Sequence, residues 1–161
     1  MYLRRIMRST FVVLVLLLKM LRCIASDAPW IPYNGHCFLL YRNEISWSDA
    51  QLACRKDGGD LVSIRNVEDQ SFVISHYRNF WIGLSAPDQG TGYVWSDGSP
   101  VNFLHWADGQ PNNKNNVESC VEFIPSNWHK TGSWNDKQCE AYNRFICQIP
   151  TATWWQGPEG G

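Results

Sequence analysis

The sequence has no excess of charge of either sign. It contains 14 lysine and arginine residues against 15 aspartate and glutamate residues, which gives a formal net charge of -1 over 161 residues. A protein that binds the phosphates of a nucleic acid needs a strongly basic surface. We therefore expect no nucleic-acid partner.

The motifs of zinc sites and of common hydrolases are also missing. The six cysteines are widely spaced, and none of them forms a C-x-x-C pair of the kind that holds structural zinc. The sequence contains no nucleophile motif and no Ser/His/Asp order typical of a hydrolytic triad. We therefore expect a protein that is not an enzyme.

A hydrophobic run long enough to cross a bilayer easily is absent as well. The apolar run at 10–18 would span only ~14 Å as a helix, about half of the hydrocarbon thickness. Three arginines precede it and small residues follow it at 23–25, which predicts a signal peptide over 1–25. We expect a secreted or extracellular protein, with a cell-surface protein anchored in the membrane by an uncleaved signal as the alternative.

The cysteines then indicate disulfides, because the secretory lumen is oxidising. Six cysteines allow fifteen pairings in principle. A cut after residue 25 or 26 would remove Cys23 and leave Cys37 as an odd thiol. Two bridges are then expected within the remaining set, which is Cys54, Cys120, Cys139 and Cys147.

Two helices are predicted in the first half of the chain. Ser46 is a good N-cap for the first, whose residues Trp47, Ala50 and Cys54 share one face, and glycines at 58–59 end it. Asn66 is a plausible cap for the second, with apolar side chains at 72–73 and His76 toward the core.

Short aromatic strands separated by turn residues follow. The predicted strands, together with one before the helices, cover 34–45, 80–84, 93–99, 120–124 and 144–149, with long polar connections at 100–120 and 125–139. Helices first and strands after them indicate an α+β fold, and long connections in a compact domain usually carry function.

Several motifs together resemble those of a C-type lectin-like domain. These are "CRKDGGDLVSI", "FWIGL", "QPNN…ESC", "WND" and "FICQ", in the family's order and approximate spacing, and the opening "APWIPYNGHCFLLY" is most similar to domains of the mannose-receptor group. The resemblance implies the double-loop α+β fold over 30–149. The segment at 150–161 resembles no structural element, and we expect it to be a disordered tail. It also implies bridges Cys54–Cys147 and Cys120–Cys139, and it leaves Cys23 as the candidate partner of Cys37.

The resemblance further implies a calcium site. Its ligands fall on five residues of two separate segments: Gln110, Asn112, Glu118, Asn135 and Asp136. A cis bond before Pro111 would bring the first two together. Read without the family, the same segment is a hydrophilic loop rich in turn residues. A second calcium site is not expected, because Ser119 stands where an acidic residue is needed and Asp88 is the only acid in the loop after Leu84.

Sugar binding at the same five residues is the function that the resemblance implies, with glycans or glycoproteins as partners. Relatives that prefer mannose carry Glu-Pro-Asn and those that prefer galactose carry Gln-Pro-Asp, whereas Gln110-Pro111-Asn112 is a hybrid that does not fix the sugar. A lectin-like domain that binds a protein or a lipid without sugar is the alternative.

The remaining aromatic residues have simpler interpretations. Trp81, Trp95, Trp106 and Trp134 are expected in the core or as loop anchors, with Trp106 and His105 close enough to the site to touch a ligand. The insertion at 125–133 is expected to be exposed, with Trp128 and His129 as candidates for contact with a partner.

Overall fold

The computed structural model describes Cys23 and residues 29–74, 79–88, 90, 92–126 and 131–151. The signal peptide predicted at 1–25 lies outside these residues except for Cys23, and so do Trp128, His129, His76 and the tail from 152. Within the described residues, none of the helices has the length and apolar character of a membrane span.

The described elements follow one another as predicted for an α+β protein. In chain order they are β1 Ile31–Tyr33, β2 His36–Ile45, α1 Trp47–Lys56, β3 Asp60–Leu61, α2 Val67–Ile74, β4 Phe80–Ser85, β5 Val94–Trp95, a 3₁₀ turn Lys114–Asn116, β6 Cys120–Ser126, β7 Thr131–Lys137 and β8 Asn143–Pro150.

The described residues divide into two compact units, one made of residues up to 39 and from 149 onward and the other of residues 40–148. In the first, β1 pairs with the start of β2 in an antiparallel hairpin. Its turn is Asn34-Gly35, both with positive φ (43° and 80°), which is the backbone that suits a two-residue hairpin. Cys23 is disulfide-bonded to Cys37, the pairing that the family resemblance left open.

The second unit contains both helices and most of the sheet. Its strand order is β2-β8-β4-β6-β7, with β3 on β8 and β5 on β4. The β4–β8 pair is parallel, whereas β6 pairs antiparallel with both β4 and β7. β4 lies between two other strands, and its first five residues are all buried, which explains why "FWIGL" is a continuous apolar run rather than an alternating one.

The two helices begin where the sequence predicted. The Ser46 side chain accepts a hydrogen bond from Asp49 N, and Asn66 Oδ1 accepts one from Asp69 N at 2.8 Å, so each cap satisfies a free N–H of the first turn. Cys54 is fully buried on the inner face of α1 and is bonded to Cys147.

The core is built from large aromatic residues of the central strands. Trp81, Trp134, Phe80, Phe123 and Phe145 are fully buried, and the rings of Phe80 and Phe123 stack at 4.7 Å. The predicted core positions of Trp81, Trp95 and Trp134 are therefore confirmed. Trp106 is half-buried.

The sequence interpretation was wrong about residues 131–137. They were assigned to a long polar connection, but they form β7, which pairs residue by residue with β6 from Cys120↔Lys137 to Ser126↔Thr131. The segment "TGSWNDK" is mostly polar, so its composition alone does not predict a strand. It becomes one because the backbone of the apolar strand β6 pairs with it. The predicted strand at 93–99 is also shorter than expected, since only Val94–Trp95 is extended.

Candidate functional site

The segment before the predicted ligand loop is fixed against β7. Trp134 N donates to His105 O at 2.9 Å, and Ala107 N donates to Trp134 O at 2.8 Å. The ring of Trp106 meets that of Trp134 edge-on at 6.0 Å. Trp106 and Trp134 thus form a short parallel pairing. It places the residues that follow Ala107 beside Asn135 and Asp136, the next residues of β7.

Trp134 is in turn held by α2. Gln70, which is 2% exposed, accepts from Trp134 Nε1 at 3.1 Å and donates to Gly132 O at 2.6 Å. Nothing in the sequence pattern distinguished Gln70 from a surface glutamine, although its position one turn after the cap of α2 places it on the inner face. The strand that carries two predicted ligands is thus anchored from behind by a buried amide.

The loop then turns at Gly109 and Pro111. Gln110 N donates to Ala107 O at 3.0 Å, Gly109 has a φ of +78°, and the Gln110–Pro111 bond is cis, as the resemblance implied. Gln110 Oε1 is buried and accepts no hydrogen bond from any residue in the described part of the chain. A buried acceptor without a donor is unfavourable unless another group, such as a cation, meets it.

Asp136 is the point at which the loop and β7 meet. Its side chain is fully buried, and its two oxygens accept from Asn112 N at 3.1 Å and from Asn113 N at 2.6 Å. The hydroxyl of Tyr93 donates to the same carboxylate at 3.4 Å. Hydrogen bonds from backbone N–H groups to a carboxylate are charge-assisted, so Asp136 ties the loop to the sheet.

Glu118 closes the other end of the loop. Lys114 N donates both to Glu118 Oε2 at 3.1 Å and to Asn112 Oδ1 at 2.9 Å. These two oxygens, both of predicted calcium ligands, therefore share one N–H donor. Glu118 N donates back to Asn113 Oδ1 at 3.1 Å. Positive φ at Asn113, Asn115 and Asn116 turns the backbone so that these N–H groups face inward, a conformation that asparagine tolerates better than most residues.

Asn135 lies on the opposite face of β7 from Asp136, as alternation along a strand requires. Its amide nitrogen donates to Glu122 Oε1 at 3.1 Å. Glu122 is 4% exposed and also accepts from Lys137 Nζ at 3.0 Å and from Asn143 Nδ2 at 2.7 Å.

Glu122 and Tyr93 were both overlooked in the sequence. The signal for Glu122 was a single carboxylate within the apolar strand "CVEFI", where an unpaired charge would be very unfavourable. Tyr93 had no comparable signal. Burial raises the pKa of Tyr93 to about 12, with further contributions from the charge of Asp136, from the hydrogen bond to it and from the charge of Glu118. At neutral pH the hydroxyl is therefore protonated and acts as a donor.

Hydrogen bonds thus link three of the five predicted ligands: Asn112 N donates to Asp136, and the side chains of Asn112 and Glu118 both accept from Lys114 N. Gln110 stands at the start of the same loop with a partnerless oxygen, and Asn135 is held separately by Glu122. Among the residues that the structure describes, no three histidine, cysteine or acidic side chains form a metal cluster, because the set consists of two carboxylates and three amides.

The chemistry of this donor set is compatible with calcium. All five groups are hard oxygen donors, the type that calcium takes in sets of about six to eight. Each amide or carboxylate oxygen has two lone pairs, so Asn112 Oδ1 and Asp136 Oδ1, with one N–H each, can accept a further partner. Gln110 Oε1 supplies the orphaned acceptor that a cation would satisfy.

Comparison with known proteins agrees with the fold. The family model "Lectin C-type domain" matches residues 43–149. A "C-type lectin mannose-binding isoform" of Notechis scutatus scutatus is 38% identical over 137 residues, which cover 78% of this chain and 83% of that protein. "C-type mannose receptor 2" of Mus musculus is 35% identical over 130 residues, which cover 78% of this chain but only 8% of the receptor.

Solved structures with the same fold include proteins of different behaviour. The cow C-type carbohydrate-recognition domain of CD23, determined in the presence of GlcNAc2Man3 oligosaccharide, has a TM-score of 0.70 and 30% identity, covering 80% of this chain and 96% of that one. A calcium-independent type II antifreeze protein has a TM-score of 0.69 and 26% identity, covering 78% and 94%. On the match of its sequence and its fold, the chain belongs to the C-type lectin domain family.

Proposed function

We propose that this chain is a calcium-dependent carbohydrate-binding module rather than an enzyme, acting outside the cell on glycans or glycoproteins. The proposed calcium ligands and sugar contacts are the same five side chains: Gln110, Asn112, Glu118, Asn135 and Asp136. The observation that carries the proposal is the buried, partnerless oxygen of Gln110 in the loop that also presents Asn112 and Glu118. A cation bound at this loop would satisfy that oxygen.

When bound, calcium would supply coordination positions for two adjacent sugar hydroxyls. Glu118 would accept a hydrogen bond from one of these hydroxyls. Asn135 uses one hydrogen of its amide on Glu122 and keeps the second for donation to the sugar. Gln110 and Asn112 are amides, so once their oxygens face the cation they are only donors toward the other hydroxyl.

The charge of the set predicts modest affinity. Two carboxylates, Glu118 and Asp136, oppose a divalent ion, and fewer ligand charges place calcium affinity toward the weak extracellular range, with a Kd of roughly 10⁻⁴ to 10⁻³ M. One shallow site of this kind binds a monosaccharide weakly, and several copies are needed for high avidity.

A second candidate is supported by the hydrogen bonds of the loop. Asp136, Asn112 and Glu118 each accept backbone N–H groups, so the loop has internal contacts that do not require a cation. A structural neighbour with a similar fold is calcium-independent. In this case the domain binds a protein or lipid partner without sugar.

The two candidates are separated by a glycan array probed with calcium and again with EDTA. The proposal predicts binding that EDTA abolishes, and it predicts at least a tenfold loss in Glu118→Gln, whose amide oxygen can still accept from Lys114 N but carries no charge. Glu140→Gln removes the charge of an exposed carboxylate that belongs to no part of the site and should bind like the unmodified protein. Glycan binding that is equal in calcium and EDTA would contradict calcium dependence, and absence of glycan binding in both would favour the second candidate.

A further inference from the structure

Glu122 of β6 is a buried carboxylate outside the set of five proposed ligands, and it is 4% exposed. Its Oε1 accepts from Asn135 Nδ2 at 3.1 Å. Its Oε2 accepts from three donors, which are Asn79 Nδ2 at 3.2 Å, Lys137 Nζ at 3.0 Å and Asn143 Nδ2 at 2.7 Å. A buried carboxylate is tolerated only when it is paired and hydrogen-bonded, and these four donors meet that need.

The ladder between β6 and β7 places Asn135 directly opposite Glu122. Residues that are opposite in an antiparallel pair project from the same face of the sheet. A carboxylate has only acceptor atoms, whereas an amide has an acceptor oxygen and a donor nitrogen. Asn135 can therefore bond to Glu122 only through its nitrogen, and Glu122 makes no use of its oxygen.

The proposed calcium site needs the amide of Asn135 in this orientation. The oxygen of the amide is the atom that a cation can take, and the N–H that Glu122 leaves over is the one that a sugar hydroxyl can accept. An amide turned the other way would direct N–H hydrogens, which carry partial positive charge, toward the cation.

We propose that Glu122 is a positioning residue for calcium binding, which keeps the amide of Asn135 in the orientation that leaves its oxygen for the cation. Groups that orient metal ligands from behind typically change metal affinity by about 10- to 100-fold when they are lost. This inference rests on the proposed function and extends it to a residue outside the five proposed ligands.

Glu122→Gln tests the proposal because it keeps the size of the side chain and changes only which atoms accept. The three donors at Oε2 need an acceptor, so the oxygen of the new amide takes that position and its NH2 group lies opposite Asn135. Asn135 must then reverse its own amide to accept from that NH2 group, which withdraws its oxygen from the cation. We expect the calcium Kd to rise about tenfold.

Asn135→Asp removes the need for orientation, because both terminal atoms of a carboxylate are oxygens. In the Asn135→Asp background one oxygen can face residue 122 and the other the cation, whichever residue stands at 122. Glu122→Gln should therefore leave the calcium Kd unchanged in that background. Such coupling between the two changes is not expected of residues that act independently.

Thermal unfolding of the four proteins of this cycle measures both binding and packing. The calcium Kd follows from the rise of the unfolding midpoint across a calcium series, and the midpoint in EDTA reports the pair without metal. In EDTA, Glu122→Gln should lower the midpoint of the unmodified protein, because Lys137 loses its charged partner. It should raise the midpoint of Asn135→Asp, because it removes one of two carboxylates that lie opposite each other.

Asp60→Asn is the matched control for loss of a paired, largely buried carboxylate. The Asp60 side chain is 12% exposed and forms an ion pair with Arg55 Nε at 3.1 Å, and its other oxygen accepts from Ser96 Oγ at 2.6 Å. None of these partners belongs to the ligand loop or to β7. Asp60→Asn should lower the midpoint in EDTA and leave the calcium Kd unchanged.

The outcomes separate this inference from the proposed function. An unchanged Kd in Glu122→Gln, an equal rise of the Kd in Asp60→Asn, or a loss of affinity that persists in the Asn135→Asp background overturns the positioning role and leaves the calcium site standing. If Glu122→Gln alone does not fold, the comparison of Asn135→Asp with the double variant still decides, since weaker calcium binding by the double variant overturns the role and equal binding supports it. Absence of calcium binding by the unmodified protein overturns the proposed function and this inference with it.

Discussion

Replacing Gln110 by glutamate is the most informative single change to the proposed site. The Oε1 atom of Gln110 is buried without a hydrogen-bond partner, so Gln110→Glu places a third carboxylate where the structure has an unsatisfied neutral acceptor. The charge opposing a divalent cation then rises from two to three. Calcium affinity increases with the number of ligand charges, and we expect the Kd to fall about tenfold.

The effect on stability follows from the linkage of binding to folding. For a Kd of ~10⁻³ M, calcium at ~10 mM stabilises the folded domain by about 1.4 kcal/mol, and for a Kd of ~10⁻⁴ M by about 2.7 kcal/mol. The difference of about 1.3 kcal/mol corresponds to roughly 3–6 °C in the midpoint of thermal unfolding for a domain of this size.

In EDTA, Gln110→Glu is expected to lower the stability of the domain instead of raising it. The new carboxylate then lies in the same loop as Glu118, and this loop is hydrogen-bonded to the buried Asp136; repulsion between carboxylates with poor access to solvent is weakly screened. Gln110→Glu should therefore melt below the unmodified protein in EDTA and respond more strongly to calcium. Gln138→Glu is the matched control, because Gln138 is exposed and its charge should leave the calcium response unchanged.

Differential scanning calorimetry across a calcium series measures both effects. The reasoning is refuted if Gln110→Glu shows the same calcium-dependent shift as the unmodified protein, since an unaltered response means that residue 110 does not face the cation.

Two further predictions concern stability away from the calcium ligands. Gln70→Leu leaves the buried Trp134 N–H without its acceptor and should destabilise the domain by about 2–4 kcal/mol, measured by urea unfolding; a change below about 0.5 kcal/mol would mean that this amide does not anchor β7. Burial raises the pKa of Tyr41 from 10.0 to about 12, with further contributions from the hydrogen bond to Asp57 and from the charge of Asp57. The contribution of Tyr41 to stability is therefore full below pH 10 and is lost as the pH rises from 10 to 12. Tyr41→Phe should therefore lose less stability than the unmodified protein between pH 10 and 12. Tyr93, whose pKa is also about 12, accounts for part of the decline that remains in the variant. Identical pH profiles of stability for the two proteins would contradict the raised pKa of Tyr41.

The helices and the central strands could be predicted because their signals are local. A cap such as Ser46, an inner face ending at Cys54 and the glycines after it specify α1 within a dozen residues. The strand "FWIGL" is recognised from its apolar composition alone. These features do not depend on knowing what packs against them.

The features that could not be predicted depend on the partners that the fold supplies. β7 is polar in sequence and becomes a strand because β6 pairs with it. The amide of Gln70 and the carboxylate of Glu122 became significant only when Trp134 and Asn135 were placed beside them. A sequence indicates that a buried polar residue needs a partner, but it does not indicate which residue the fold will supply.

The candidate site could be predicted in part. The family resemblance led to the prediction of all five ligands, which stays a prediction, and the cis bond before Pro111, expected from the same resemblance, is confirmed. The network of N–H groups on Asp136 and Glu118 was not expected, because it arises from the left-handed backbone at Asn113 and its neighbours.

The bridge between Cys23 and Cys37 bears on the predicted signal peptide. A cut after residue 25 would remove Cys23 and leave Cys37 unpaired, so the bridge and that cut exclude each other in one mature chain. The boundary at 25 stays a prediction, and mass spectrometry of the secreted protein with and without reduction would identify the first residue and the state of Cys37.

The most direct test of the central claim is a calorimetric titration of calcium into protein stripped with EDTA, carried out in parallel on Asp136→Asn. The account predicts one calcium ion per chain with a Kd of about 10⁻⁴ to 10⁻³ M, and loss of this binding in the variant. No measurable calcium binding by the unmodified protein, or equal binding by the two proteins, would contradict it.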